Sequence, residues 1–276
     1  MRTARSRAKR RQGPLSIRFG SCVLRFDVPR VMGIVNNTPD SFSGDGTGGD
    51  AEAAIRRGLH MFESGADLVD IGGESTRPGA EPVPAGEEMA RTIPVVEELS
   101  KRFPSRVSID TMKPEIAEAA LYAGASIVND VSGLRNARMI EVVAEHDAAV
   151  VIMHMLGEPR TMQLRPRYKD VVREIKEYLA DRIEAAEREG VDPKKIMIDP
   201  GIGFGKTLDH NLEILAGLGE LRSLNKPIMI GVSRKSFIGS ITGVPANERL
   251  DGSIAAAVMA VVKGAEGNMG AVSVRV

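Results

Sequence analysis

The sequence predicts an α/β protein, a closed (β/α)8 TIM barrel entered through an N-terminal β-hairpin. Eight short apolar, β-branched runs recur from residue 31 onward. Each of the first seven is followed by a polar or glycine-rich loop and then a longer segment with helical periodicity. That alternation gives a parallel sheet covered on both faces. No composition break suggests a linker, and the stretch is close to the ~250 residues such a barrel needs. A doubly wound open sheet is the alternative, but it does not call for eight regular repeats.

The chain starts MRTARSRAKRRQG, with six Lys/Arg, and its first acidic residue is Asp27. A segment of this composition buries little apolar surface, so residues 1–13 read as a disordered basic tail. A nucleic-acid arm or a transit peptide is the functional alternative. The rest, 14–276, reads as one domain. LSIRFGSCVLRFDVP alternates apolar and polar residues around Gly20-Ser21 and predicts the hairpin. The eight strands are expected at VMGIV (31–35), DLVDI (67–71), RVSID (106–110), SIVND (126–130), AVVIM (149–153), KIMID (195–199), PIMIG (227–231) and AVSVRV (271–276). The segments between them are amphipathic, as in AEAAIRRGLHMFESG and DVVREIKEYLADRIEAAEREG.

Lys+Arg and Asp+Glu balance at 37 each, so a general attraction to nucleic acid or membrane is not indicated. Cys22 is the single cysteine and forms no internal disulfide, which suits a reducing, cytoplasmic compartment. No run approaches the ~18 apolar residues of a membrane span, and there is no signal-peptide core.

Unusual polar residues fall where the strands end. Asn36 follows the first and Glu74-Ser75-Thr76-Arg77 the second; Asp110 and Asn129 end the third and fourth. His154 follows the fifth, Asp199 ends the sixth, Ser233-Arg234-Lys235 follow the seventh, and Arg275 is near the end of the eighth. In a barrel all of these converge on the C-terminal rim, where barrel enzymes place their sites. Any one of them has a plainer reading as a strand-end cap; eight together do not.

The loops NNTPDSFSGDGTGGD and GGESTRPGA are rich in turns, hydroxyls and small residues, suited to a metal or an anion. Carboxylates in SIDT and IDPGIGFGK suit the amino and ring N–H groups of a heterocycle, since ionised acceptors make the stronger hydrogen bonds. Metal ligation or acid–base pairing remain open for them. GIGFGK is neither a dinucleotide fingerprint nor a Walker loop. GVSRKS places Arg, Lys and hydroxyls after strand seven, where barrels commonly hold phosphate, and Arg275 adds a second guanidinium. A phosphate or diphosphate on the substrate follows. His60, His146 and His210 lie in helical segments, and His154 reads equally as packed or catalytic. No nucleophile–base–orienter set is apparent, so the site looks built for binding and electrostatics.

The segments NNTPDSFS, DIGGESTRPGA, SIDT, NDVSG, MHMLGEPRTMQ, DPGIGFGK, GVSRKSFIG and SVRV, spread in this order over residues 31–276, together resemble dihydropteroate synthases. The resemblance implies condensation of 6-hydroxymethyl-7,8-dihydropterin diphosphate with 4-aminobenzoate in folate biosynthesis, with Mg2+ as cofactor. It implies a pterin pocket of Asp110, Asn129, Met153, Asp199 and Lys235, with Arg275 stacking on the pterin and helping to hold diphosphate. Asn36 would meet Mg2+ and diphosphate, with Asp40 nearby. Thr76, Pro78, Phe42, Phe204 and Ser236 would line the 4-aminobenzoate site, where sulfonamides compete. Asn36, Asp40, Lys235 and Arg275 would be the residues at the chemistry. A homodimer through the last helices is also implied.

Two departures qualify the resemblance. Asn37 stands where the family usually has valine. The family motif also continues past the arginine of the last strand with Val-His-Asp and a covering helix, whereas this sequence stops at Arg275-Val276. Losing three or four buried apolar side chains at ~1.5–3 kcal/mol each is an expected cost comparable to a domain's stability. The expectation is therefore a truncated product or fragment, or a second chain over the gap. The alternatives to an active synthase are a truncated pterin-binding barrel with little turnover and a pterin-dependent methyltransferase-like enzyme. The 4-aminobenzoate loops and GVSRKS argue against the second.

Overall fold

The computed structural model describes residues 15–20, 22–38, 47–265 and 272–276. The basic segment 1–13 lies outside them, as do Asp40 and Phe42. A two-stranded hairpin, β1 (Ser16–Phe19) and β2 (Cys22–Arg25), precedes the barrel. Eight parallel strands then close on themselves in the order β10-β3-β4-β5-β6-β7-β8-β9. They are β3 (Arg30–Asn36), β4 (Leu68–Gly72), β5 (Val107–Asp110), β6 (Ile127–Asp130), β7 (Ala149–Met153), β8 (Ile196–Asp199), β9 (Ile228–Gly231) and β10 (Val272–Arg275). Each lies within one residue of the expected run at both ends. β10 pairs with β3 on one side and β9 on the other, so the last strand closes the ring.

The helices α1 (Ala51–Glu63), α2 (Ala85–Arg102), α3 (Pro114–Tyr122), α4 (Ala137–Glu145), α5 (Val171–Arg188) and α6 (Leu208–Ala216) alternate with the strands. Two more, α7 (Ser236–Thr242) and α8 (Leu250–Ala265), lie between β9 and β10. The starts follow local chemistry. Asp50 accepts from the backbone of Glu52 and Ala53 at the head of α1, and Asp170 from Arg173 at the head of α5. At α6, Thr207 and His210 form a reciprocal capping box, which gives His210 a structural task.

Period-two alternation along the strands sorts their side chains into two cores. Val35, Val69, Ile71, Ile109, Val150, Ile152, Ile198 and Ile230 pack outward with the helices. Met32, Leu68, Ile127, Ala149, Val151, Met197 and Met229 pack inside the barrel, and Ile17, Phe19 and Phe26 of the hairpin segment join them. The hairpin therefore plugs one mouth of the barrel with aromatic side chains. Polar inward-facing residues follow toward the strands' C-terminal ends: Asn36, Asp70, Asp110, Asn129 and Asp199. On the outer surface, α8 exposes Ile254, Val258, Met259 and Val262.

Candidate active site

At the strands' C-terminal ends lies a cleft of about 430 Å³. Asn36, Thr76, Pro78, Asp110, Phe204, Lys235, Ser236 and Arg275, each singled out in the sequence, line it together. Asn129, Met153 and Asp199 are buried behind the lining.

The floor is an ionic cluster that closes across the barrel. Arg275 donates from Nε to Asp70 Oδ2 at 2.8 Å and from Nη2 to Asp110 Oδ2 at 2.5 Å. Asn129 Nδ2 donates to the same Asp70 oxygen at 2.9 Å. One guanidinium thus serves two buried carboxylates. Asp70 Oδ1, Asp110 Oδ1 and Asn129 Oδ1 are buried and have no hydrogen-bond partner among the described residues. Buried acceptors left open are costly unless something donates to them, so this floor is made for a ligand carrying N–H groups.

Charge follows from that geometry. Burial pushes Asp110 up to about 7, against the opposing pull of Arg275 and with the Asp70 charge adding to the rise. Burial likewise raises Asp199, with Lys235 and Arg275 opposing. Burial brings Lys235 down to about 8, although Asp199 works the other way. Burial also works against the Arg275 charge, but Asp70 and Asp110 outweigh it and hold the guanidinium protonated.

β8 and β9 supply the other wall. Asp199 Oδ1 accepts from Gly201 N at 2.6 Å. The turn after it needs glycine: Gly201 has φ +70°, and a Cβ there would lie 1.9 Å from the His154 carbonyl oxygen. Lys235 donates to the Ile202 carbonyl and stands 4.9 Å from the centre of the Phe204 ring, a cation–π contact. Met153 packs with Val131, Met155 and Met162, with Phe204 against them, making an apolar side to the cleft. Arg234 adopts φ 51°, a strained conformation that re-aims the chain between Ser233 and Lys235, and Ser253 Oγ accepts from its backbone N–H at 2.8 Å.

His154 is not exposed to the cleft. It is buried, its Nδ1 is 3.0 Å from Lys206 Nζ, and its ring meets Tyr178 edge-on. Burial, aided by the Lys206 and Arg135 charges, lowers it to about 2, so it stays neutral and packed. Asn37 is buried too: it donates to the Arg91 carbonyl at 2.8 Å and accepts from Thr47 Oγ1 at 2.5 Å. That pairing ties the start of the first long loop to its end and gives the departure from valine a structural role.

The sequence reading missed three contributors. Asp70 lies mid-strand, and the clue was an acid inside the otherwise apolar DLVDI. Arg57 and Arg249 also line the cleft from beyond the strand ends, where no local motif marks them. With Arg77, Arg234, Lys235 and Arg275, the lining carries six cations against Glu74 and Asp110 among the described residues, an electrostatic match to a multiply charged anion.

Comparison with known proteins places the chain in a family. A family profile described as pterin binding enzyme matches residues 32–270. The chain is 46% identical over 237 residues to the dihydropteroate synthase of Escherichia coli (strain K12), covering 86% of this chain and 84% of that protein. A crystal structure of Yersinia pestis dihydropteroate synthase with a sulfonamide drug superposes with a TM-score of 0.89 at 39% identity, covering 95% and 93% of the two chains. Burkholderia cenocepacia dihydropteroate synthase complexed with 7,8-dihydropteroate gives 0.84 at 43% identity, covering 95% and 91%.

Proposed function

This chain belongs to the dihydropteroate synthase family of pterin-binding enzymes, and we propose that it condenses 6-hydroxymethyl-7,8-dihydropterin diphosphate with 4-aminobenzoate. The products are 7,8-dihydropteroate and diphosphate, a step of folate biosynthesis. The observation that carries this reading is the floor of three open acceptors, on Asp70, Asp110 and Asn129, beside a lining of six cations. Few substrates other than a donor-rich heterocycle bearing an anionic leaving group would satisfy both.

The chemistry needs no protein nucleophile. The C–O bond between the pterin methylene and diphosphate breaks, and its electron pair leaves with diphosphate. The 4-aminobenzoate nitrogen then forms the C–N bond and releases a proton. Arg275 and Lys235 stabilise the charge that develops on the leaving group, the kind of preorganised electrostatics that lowers such barriers most. Asp110, Asn129 and Asp199 orient the pterin through its N–H edge. Thr76, Pro78, Phe204 and Ser236 lie along the same cleft, where the amine must approach the methylene carbon. Sulfonamides are expected to compete there.

Mg2+ fits the residues present. A Cβ at Gly72 would sit 3.3 Å from Asn36 Oδ1, so glycine keeps the space beside that oxygen open. Among the described residues no group of three His, Cys, Asp or Glu could hold a metal. Magnesium often takes few protein ligands and completes its shell with water and substrate phosphates. Asn36 would hold it, and when bound the ion neutralises charge on diphosphate. We read the working form as a cytoplasmic homodimer, in keeping with the exposed Ile254, Val258 and Val262 on α8; a monomeric mass by sedimentation at micromolar concentration would overturn the dimer.

The test is diphosphate release from the pterin substrate by the purified chain with Mg2+. Release that requires 4-aminobenzoate supports the reading. A chain that releases diphosphate equally without the amine contradicts it.

A further inference from the structure

Lys113 is outside the cleft lining, yet it joins two of its walls. Its ammonium donates to Glu74 Oε2 and to Glu88 Oε2, both at 2.5 Å. Glu88, on α2, is 1% exposed, and its other oxygen accepts from Thr111 Oγ1 at 2.7 Å. Thr111 follows Asp110 directly, and its hydroxyl also accepts from the Lys113 backbone N–H at 3.2 Å. The short link after β5 is therefore tied to α2 at two points.

Glu74 carries the tie across. It opens the loop after β4, and its Oε2 also accepts from Val83 N at 2.8 Å, near the loop's far end. One carboxylate oxygen thus closes the base of a loop whose span contains Thr76 and Pro78. Arg91 fixes the same loop from below by donating to the Gly73 carbonyl at 2.9 Å. Hydrogen bonds to Glu74 and Glu88 raise the Lys113 ammonium above its ordinary range, although burial works against it. Two carboxylates, one of them fully buried, share this single cation. Charge-assisted bonds in such surroundings are the stronger kind and hold geometry tightly.

We propose that Lys113 is a positioning residue for the 4-aminobenzoate side of the cleft, acting through Glu74 on the loop 73–83 and registering that loop to Asp110 on the pterin side. The assignment rests on the proposed condensation for its kinetic consequence. Its structural consequence is independent of it.

The test compares Lys113→Met, Lys113→Arg and the double variant Glu88→Gln/Lys113→Met, which removes the buried carboxylate stranded by the first. Two readouts are taken on the full chain: KM for each substrate, and hydrogen exchange at Val83. Pro82 and Pro84 flank Val83, so its amide is the one exchangeable group of that tripeptide. Lys113→Met is expected to raise KM for 4-aminobenzoate about ten-fold, the scale of one lost charge-assisted hydrogen bond. KM for the pterin diphosphate should stay within about two-fold, and Val83 should exchange about ten-fold faster. The double variant should recover melting temperature while keeping both defects, and Lys113→Arg should restore most of both. Unchanged Val83 protection in folded Lys113→Met overturns the proposal. So does recovery of KM together with melting temperature in the double variant, which would mark a purely structural role. A wild-type chain that makes no dihydropteroate refutes the functional reading instead, and Val83 exchange then decides the positioning alone.

Discussion

Arg275 and Asp70 are 205 residues apart in the chain and meet at 2.8 Å inside the barrel. Both are inward-facing, one on the last strand and one on the second barrel strand. Asp70 shares the same oxygen with Asn129 and leaves Arg275's other nitrogen to Asp110. The contact therefore brings three acceptors and a guanidinium together, and it is made only when β10 closes the ring against β3. Binding geometry and barrel closure are one event here.

Asp70→Ala should leave the buried Arg275 guanidinium with Asp110 alone and Asn129 Nδ2 without its acceptor. Removing one partner of a buried pair costs about 3–5 kcal/mol, so a large drop in denaturation midpoint is expected. kcat/KM for the pterin diphosphate should fall at least ten-fold, while Asp70→Asn, which keeps an acceptor, should lose less of both. Chemical denaturation and steady-state kinetics on the two variants check this. Equal behaviour of Ala and Asn would show that a neutral acceptor does not stand in for the carboxylate.

Asp110 should make stability depend on pH in an uncommon direction. Its folded value, about 7, lies above that of an unfolded aspartate. The folded state therefore holds an extra proton between roughly pH 4 and 7. Its contribution is fully present at low pH and is lost as pH rises through 7. Relative to Asp110→Asn, the wild-type chain should gain stability as pH falls from 8 to 5, with a slope of at most about 1.4 kcal/mol per pH unit. The neighbouring charges of Asp70, Asp199, Lys235 and Arg275 are common to both proteins, so the difference isolates Asp110. Urea midpoints at several pH values measure it, and a difference that grows toward alkaline pH would contradict the account.

Lys235 should give activity a basic limb. Burial sets it near 8, so its charge is lost above that pH and the hold on diphosphate weakens with it. kcat/KM for the pterin substrate is expected to fall above pH 8, and Lys235→Arg, which stays charged, should flatten that limb even if it lowers the plateau. A pH–rate profile unchanged in shape by Lys235→Arg would assign the limb to another group.

Gly201→Ala places a methyl where the His154 carbonyl stands, at a φ that alanine rarely adopts. The turn would have to move, taking with it the backbone N–H that holds Asp199. A loss of several kcal/mol is expected from strain and clash combined, together with weakened pterin binding. Thermal melting and equilibrium titration with a pterin check both.

Most of this architecture is legible in the sequence, because periodicity does the work. The eight strands stand within one residue of the apolar runs, and their terminal polar residues converge as barrel geometry requires. What escapes is relational. Asp70 looks like part of an apolar strand until alternation is counted through to the barrel interior. Arg57 and Arg249 reach the cleft from segments that carry no motif. His210 and Asn37 show how local chemistry resolves ambiguous residues: one is half of a capping box, the other pins Thr47 to the end of β3. The Lys113 bridge unites three separate segments, which no spacing rule can anticipate.

The measurement closest to the central claim is the amount of 7,8-dihydropteroate formed by this chain from pterin diphosphate and 4-aminobenzoate, counted against diphosphate released. The account predicts one for one, with both halted by a sulfonamide in competition with 4-aminobenzoate. Pterin bound in the cleft with no dihydropteroate formed at any amine concentration would contradict it.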